Sequence, residues 1–252
     1  MKHLLKKSMI GKFKRQLEQD EKAEVTIEKY VRDVKAFYAY VGMDKNIDKA
    51  TVIAYKDYLA ANYAASSVNS MLAAVNMFFR EMDWHDCVVK SLKIQKEAFR
   101  AKERDLTKEE YYRLLNAAER KGNMRLSLIM QTICSTGIRI SELKFITVQA
   151  ANAGCARVYS KGKQRTVLLP EILCKKLKCY GREKGIRRGS IFVTRSGKPM
   201  DRSNIWHEMK ALCQEAGVLG KKIFLHNLRH LFALTYYKAK KDITHLADML
   251  GH

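Results

Sequence analysis

The chain has 252 residues, of which 47% are hydrophobic and 9% are aromatic. This composition is rich enough to fill a hydrophobic core and excludes a chain that is mainly disordered. The length fits one large domain or two small ones of roughly 100–200 residues each. The 48 lysines and arginines outnumber the 26 acidic residues, for a net charge of +22. Such a surplus attracts polyanions, so nucleic acid is the expected class of partner.

The sequence argues against a membrane protein or a secreted protein. No stretch approaches the ~18 uncharged residues of a membrane-spanning helix, and the basic start lacks the apolar run of a signal peptide. The cysteines are far apart and form no C-x-x-C pair, so we expect reduced thiols, and no cysteine and histidine set has the spacing of zinc ligands. We therefore expect a cytoplasmic protein that contacts no membrane and needs neither metal nor cofactor.

Four amphipathic helices are predicted in the first part of the chain. Residues 26–42 and 68–82 each place their apolar side chains on one helical face. Thr26 and either Ser66 or Ser67 are the expected N-caps, and Gly42 is the expected stop. Two further helices are predicted over residues 9–22 and 51–63. Stripes of this kind are typical of core packing, so residues 1–87 are expected to form a helical bundle.

A basic linker is predicted between residues 88 and 104. Apolar periodicity fades after Trp84, and the segment carries six basic residues against two acidic ones. It is either a solvated tether or, beside a polyanion, a segment that contacts the phosphate backbone. The residues predicted to contact DNA here are Lys90, Lys93, Lys96, Arg100 and Lys102.

Residues 105–252 are predicted to form a second, mixed unit. Thr107 and Glu110 have the spacing of a capping box, and Leu106 with Tyr111 forms a hydrophobic staple, so a helix begins near Lys108. Strands over 157–160 and 164–169, joined by a glycine turn, form a predicted hairpin. A short strand is expected at 191–194, and helices are expected at 125–135, 226–239 and 242–250. The predicted architecture is mainly α with a small β-sheet.

Positive charge is densest between residues 157 and 188, with eleven basic residues and two acidic ones. A charge run is usually a solvated face, but at this density phosphate binding is favoured. Lys163 and Arg165 are the predicted DNA contacts in this segment. Backbone contacts of this kind position a protein on DNA without reading its sequence.

His226 and Arg229 are three positions apart and therefore share one helical face, from which both side chains can bind one phosphate. Alone the pair is a weak signal, because a surface histidine next to an arginine is common. Three other basic residues accompany it. Arg139 follows a glycine turn, Lys161 lies at the tip of the hairpin, and His252 follows the end of the last predicted helix.

The segments that carry these residues resemble the sequence boxes of the tyrosine recombinase (phage integrase) family, as an Xer-like or a mobile-element integrase. The four matching segments are T-G-I-R-I-S-E-L at 136–143, S-K-G-K-Q-R at 160–165, H-N-L-R-H at 226–230 and L-G-H at 250–252. Their order and spacing together are highly specific. The resemblance covers residues 104–252 by motif, and it implies a SAM-like core-binding bundle before a mixed α/β catalytic domain.

The resemblance implies five catalytic residues. Arg139 and Arg229 would bind the scissile phosphate through planar guanidinium forks, with Glu142 supporting Arg139. His226 would take the proton of a tyrosine nucleophile, and Lys161 would protonate the departing 5′ oxygen, with Lys163 as its rival. His252 would donate to a nonbridging or leaving oxygen.

In that family the nucleophilic tyrosine follows the L-G-H box by roughly ten residues, two to three helical turns. The sequence ends at His252, and none of its tyrosines matches that position. We therefore expect a chain that is truncated before the nucleophile, so that it binds DNA and is unable to cleave it. No nucleophile is assigned within the chain.

The resemblance also implies how the protein acts. Strands would be cleaved and rejoined through a 3′-phosphotyrosyl intermediate without metal or ATP. The implied partner is a double-stranded recombination site, bound by a homotetramer that is a monomer or weak oligomer off DNA. Two alternatives remain: a non-catalytic DNA-binding regulator of the same fold, and a metal-dependent nuclease, for which the sequence offers no clustered acidic pair to hold Mg²⁺.

Overall fold

The computed structural model describes residues 2–43, 45–94, 105–160 and 163–251, without the side chains of Ser160 and Lys163. The chain divides into two compact units, and the division falls between residues 94 and 105. Within the described residues both units are mainly helical, and the sheets are two small antiparallel pairs. The predicted fold class is confirmed.

The first unit is a bundle of four helices. They are α1 (Lys7–Gln19), α2 (Glu24–Tyr40), α3 (Lys49–Asn62) and α4 (Ala65–Glu81). A short pair of strands, β1 (His3–Leu4) and β2 (Asn46–Ile47), joins the start of the chain to the α2–α3 connection. The apolar stripes predicted from periodicity line the core, which includes the fully buried rings Phe13, Phe37, Phe78 and Phe79.

Two predicted helix starts are wrong. Helix α2 begins after Ala23, because the backbone N–H groups of Thr26 and Ile27 already donate to the Ala23 oxygen. Helix α4 likewise begins after Ala64, ahead of Ser66 and Ser67. Neither alanine supplies a side-chain cap. A helix that begins at an uncapped residue leaves no N-cap signal in the sequence, so both predicted starts lie later in the chain than the observed ones.

Residues 88–94, predicted as part of the linker, lie against the first unit. The side-chain amide of Asn76 donates to the Val89 oxygen and its carbonyl accepts from the Val89 N–H, at 2.8 and 3.0 Å. Asn69, two turns earlier on α4, makes the same pair of bonds with Leu92. Val89 is buried in the core of this unit. Residues 88–94 therefore belong to the first unit.

The second unit contains the remaining helices and the hairpin. The helices are α5 (Lys108–Arg120), α6 (Met124–Thr136), α7 (Val148–Ala153), α8 (Glu171–Glu183), α9 (Arg202–Lys210), α10 (Cys213–Ala216), α11 (Leu225–Lys240) and α12 (Ile243–Leu250). Helix α5 starts with the predicted capping box: Thr107 Oγ1 accepts from the Glu110 N–H, and Glu110 accepts from the Thr107 N–H.

The predicted hairpin forms from β3 (Cys155–Ser160) and β4 (Lys163–Leu168), paired in antiparallel register. The predicted strand at 191–194 is wrong. Val193 makes only an isolated bridge with Pro199, and Ser190 makes another with Thr147, so no ladder develops. Helices α7 and α8 are not among the predicted elements, although α8 has a buried face that includes Leu173 and Leu177.

Within the described residues, no helix is long and apolar enough to cross a lipid bilayer. All six cysteines are free thiols, as predicted. Burial raises the pKa of the Cys87 and Cys134 thiols to about 11, which keeps both in the protonated form near neutral pH.

Candidate active site

Arg139 is positioned by the turn that ends α6. Gly137 follows the helix in the left-handed region, with a φ of 64°. A Cβ at this position would lie 2.5 Å from Phe232 Cδ1 on α11, so the turn requires glycine for its conformation and for the close approach. Arg139 then precedes a 3-10 helix, Ile140–Phe145, at whose start its N–H donates to Glu142 Oε2 at 2.7 Å.

Glu142 is 1% exposed and receives two guanidinium groups. Arg139 Nη1 donates to Oε1 at 3.2 Å, and Arg165 Nη2 donates to Oε2 at 2.7 Å. A buried carboxylate requires partners of this kind, because burying an unpaired charge is costly. Glu142 thus joins the arginine of the 136–143 box to an arginine of the hairpin.

Arg229 reaches the same place from α11. Its side chain is buried, with Nη1 donating to the Gly137 oxygen and Nη2 to the Leu250 oxygen, both at 2.6 Å. It therefore fixes the turn before Arg139 and the end of α12 at once. His226 lies one turn earlier on α11 and is exposed.

Three consecutive backbone oxygens at the end of α12 each accept a hydrogen bond from a different arginine. The Met249 oxygen accepts from Arg165 at 2.8 Å, the Leu250 oxygen from Arg229, and the Gly251 oxygen from Arg139 at 3.1 Å. The last carbonyls of a helix lack helical partners and form the negative end of its dipole, which favours cations. We call Arg139, Arg165 and Arg229 the arginine cluster.

The arginine cluster carries more positive charge than its partners neutralise. In the described part of the chain, the carboxylate paired with the cluster is Glu142, which contacts Arg139 and Arg165, whereas Arg229 donates to main-chain oxygens. Burial lowers the pKa of Arg229 to about 10, with the charges of Arg139 and Arg165 adding to the effect. Burial also lowers the pKa of Arg165, and Arg139 lowers it further, whereas Glu142 raises it. Guanidinium groups under this mutual repulsion favour an additional anion.

The structure brings three predicted site residues together and leaves others outside its description. Arg139, Arg229 and His226 belong to one region of the second unit. Lys161 and His252 lie outside the described residues, as do Lys96, Arg100 and Lys102, and the side chain of Lys163 is not described. Lys90 and Lys93 are exposed on the segment 88–94 of the first unit.

Arg165 lies deeper in the second unit than the sequence predicts. It was predicted as a DNA contact, yet its side chain is only 16% exposed and its Nη atoms are bonded to Glu142 and Met249. The alternation of exposed and buried side chains along β4 is the signal for this inward orientation. Arg165 shares a strand face with the buried Val167, whereas Gln164 and Thr166 on the other face are exposed.

Comparisons with known proteins agree with this architecture. Residues 104–252 match the family model described as Phage integrase family, and residues 9–85 match the Phage integrase, N-terminal SAM-like domain. The chain belongs to the phage integrase family of tyrosine recombinases. The family that the four sequence boxes predicted is confirmed, as is the SAM-like bundle.

The recombinase is similar to Xer proteins over most of its length. Tyrosine recombinase XerD of Halalkalibacterium halodurans is 27% identical over 248 aligned residues, which cover 90% of this chain and 83% of that protein. Tyrosine recombinase XerH of Campylobacter jejuni is 31% identical over 157 residues, which cover 58% of this chain and 44% of XerH.

Solved structures of DNA-bound proteins share the recombinase's fold. A lambda integrase dimer bound to a COC′ core site has a TM-score of 0.77 at 18% identity, covering 97% of this chain and 94% of that one. XerH bound to its difH substrate before cleavage has a TM-score of 0.72 at 19% identity, and the match covers 98% of this chain and 79% of the XerH chain.

Proposed function

We propose that this tyrosine recombinase is a site-specific enzyme that cleaves and rejoins DNA strands through a 3′-phosphotyrosyl intermediate. The observation that carries the proposal is the meeting of Arg139 and Arg229, which are far apart in sequence, at the end of α12. Each guanidinium has five N–H donors, and the bonds that both make to protein oxygens leave donors for a phosphate. His226 lies one turn before Arg229 on α11 and is the third polar group of the proposed site.

The proposed reaction is an in-line displacement at phosphorus. A tyrosine oxygen forms a bond to the scissile phosphate, the bond to the 5′ oxygen breaks, and the negative charge on the nonbridging oxygens grows in the transition state. Arg139 and Arg229 stabilise that charge by bidentate hydrogen bonds. Since the phosphotyrosyl bond conserves the energy of the phosphodiester, the reverse attack by a 5′ hydroxyl rejoins the strand without ATP.

Two protons move in this scheme. A tyrosine hydroxyl with a pKa near ~10 is a weak nucleophile at neutral pH, so a base must accept its proton. We assign that role to His226. The departing 5′ oxygen needs a proton, which we assign to Lys161, with Lys163 as the alternative donor in the same hairpin. His252 is proposed as the donor to a nonbridging or leaving oxygen.

The proposed partner is a duplex recombination site. One related structure is a lambda integrase tetramer bound to a Holliday junction, and we propose a homotetramer on DNA for this chain as well, with a monomer or weak oligomer off DNA. Lys90, Lys93, Lys96, Arg100 and Lys102 are proposed backbone contacts. The six free thiols agree with a reducing compartment, so we propose the cytoplasm as its place of action.

A second candidate is a DNA-binding regulator of the same fold that does not cleave. Its support is that the assigned residues can bind a phosphate whether or not a nucleophile is present. A metal-dependent nuclease is disfavoured, because Mg²⁺ takes oxygen ligands, and Glu142, the carboxylate paired with the arginine cluster, is already paired with two guanidinium groups.

A suicide-substrate assay tests the proposal. Protein expressed from the complete reading frame is incubated with nicked duplexes from the DNA that flanks the gene, in EDTA, and covalent adducts are resolved on denaturing gels. We expect an adduct whose linkage maps to a tyrosine by mass spectrometry. Specific binding without any adduct would support the regulator, and cleavage that EDTA abolishes would support the nuclease.

A further inference from the structure

Arg165 connects three parts of the second unit. It lies on β4 of the hairpin, its Nη2 donates to Glu142 in the 3-10 helix, and its Nη1 donates to Met249 at the end of α12. Few side chains can reach two such distant segments at once, and a guanidinium can because its donors diverge in a rigid plane.

Gly251 provides a second, independent observation at the same place. Its φ is +68°, and a Cβ built there would lie 2.8 Å from Arg165 Nε and 2.9 Å from Arg165 Cδ. The Arg165 side chain therefore packs directly against the backbone of the residue that precedes His252. Any shift of Arg165 changes the space available to the chain at this point.

We propose that Arg165 is a positioning residue: it fixes the end of α12, at Met249 and Gly251, relative to the Glu142–Arg139 pair, and it makes no contact with DNA. This inference rests on the proposed function, in which residue 252 and Arg139 serve the same phosphate.

Charge and burial support positioning over DNA contact. Arg165 shares Glu142 with Arg139, so one carboxylate offsets part of the repulsion between two guanidinium groups. The Arg165 side chain is 16% exposed against 29% for Arg139, which leaves Arg139 the more accessible of the two. Arg139 and Arg229 then remain to bind an anion, while Arg165 holds the backbone beside them.

The experiment compares Arg165→Lys and Arg165→Ala with the unchanged protein, expressed from the complete reading frame. Arg165→Lys keeps the charge beside Glu142 and guards against loss of folding, which circular dichroism checks for each variant. The matched control is Arg120→Ala, since Arg120 is also paired with a glutamate, Glu215, but is 65% exposed on α5. The readouts are the salt dependence of duplex binding, the adduct rate, and hydrogen exchange of the amides of residues 246–251.

We expect both Arg165 variants to keep the slope of log K against log salt, because no phosphate contact is lost. Adduct formation should fall about 10- to 100-fold, since a displacement of about 1 Å in a catalytic group costs on this order. Exchange at 246–251 should accelerate in both variants, whereas Arg120→Ala should change none of the three readouts.

Two results would overturn the inference. If the slope of log K against log salt decreases in magnitude by about one in Arg165→Ala, Arg165 contacts a phosphate directly. Unchanged adduct rate and exchange in both variants would show that Arg165 positions nothing. If the unchanged protein itself forms no adduct, the proposed function fails first, and the inference that rests on it fails with it.

Discussion

Arg139 Nη2 donates to the backbone oxygen of Gly251 at 3.1 Å, although the two residues are 112 positions apart. The bond links the first basic box of the sequence to its last one. The same guanidinium group also donates to Glu142, which is only three positions from Arg139. Arg139 is therefore held locally by the 3-10 helix and over long range by α12, so the site is complete only after the whole second unit has folded.

Replacing Arg229 by lysine should greatly slow cleavage. Lysine keeps the positive charge, but a single ammonium group cannot hold the Gly137 oxygen, the Leu250 oxygen and a phosphate in one plane. We expect the adduct rate of Arg229→Lys to fall on the order of 10²–10³-fold. Single-turnover kinetics on the suicide substrate measure it. The control Arg120→Lys makes the same change at an exposed arginine and should react as the unchanged protein does; equal rates for both variants would refute the role of Arg229.

Gly137→Ala should destabilise the second unit far more than Gly154→Ala. Both glycines end a helix with positive φ, 64° and 70°. A Cβ at Gly137 would overlap the Phe232 ring, whereas one at Gly154 has no neighbour within 4 Å. We expect a loss of about 2–4 kcal/mol for Gly137→Ala from overpacking and backbone strain, and about 1 kcal/mol for Gly154→Ala from strain alone. Chemical denaturation measures both, and equal losses would contradict the packing argument.

Part of the stability of the second unit should disappear in acid. Burial raises the pKa of Glu110, but the Thr107 N–H and Lys222 outweigh it, so the pKa lies below its ordinary value. A carboxyl with a lowered folded-state pKa stabilises the fold above its unfolded pKa of roughly 4.3 and loses that contribution as pH falls through the folded-state pKa. Denaturation from pH 7 to pH 3 should show this loss.

The control for the acid experiment is Glu110→Gln. The amide keeps the shape of the side chain but not the charge that binds Lys222 at 2.9 Å. We expect this variant to be about 1.5–3 kcal/mol less stable at neutral pH and to show a smaller loss below pH 4.5. An identical pH dependence in the two proteins would mean that other carboxyls cause the acid effect.

Lys93 is expected to contact the DNA backbone. It is exposed on the segment 88–94 of the first unit. In Lys93→Ala, the slope of log K against log salt for duplex binding should decrease in magnitude by about one. The affinity for all DNA sequences should fall by the same factor. Lys14→Ala is the control, because Lys14 lies on α1 and is already paired with Glu18. If fluorescence anisotropy titrations gave the same salt slope for the unchanged protein and Lys93→Ala, the contact would be rejected.

Local signals in the sequence predicted the parts of the fold that depend on near neighbours. The capping box at Thr107 and the hairpin of residues 155–168 needed only a few adjacent residues, and the structure contains both. The starts of α2 and α4 left no signal, because alanines precede them without a side-chain cap. The family boxes identified Arg139 and Arg229, but nothing local shows which backbone oxygens their guanidinium groups meet.

The position of Arg165 shows what a sequence hides at longer range. Its charge and its neighbours indicated a DNA contact, and its inward orientation depends on the pleat of β4 and on a carboxylate 23 positions away. The meeting of Arg229 with the turn before Arg139 depends on the packing of α11 against α6. Such agreement between distant segments is a property of tertiary structure.

The arginine cluster recognises α12 through main-chain oxygens, which every amino acid carries. A substitution at Met249 therefore leaves the hydrogen bond from Arg165 to the backbone oxygen of residue 249 intact, because no side-chain atom of Met249 takes part in it. Gly251 is different, since both its φ and its contact with Arg165 exclude a side chain. Position 249 can thus accept a different side chain without losing this hydrogen bond, provided that Gly251 and the three arginines remain.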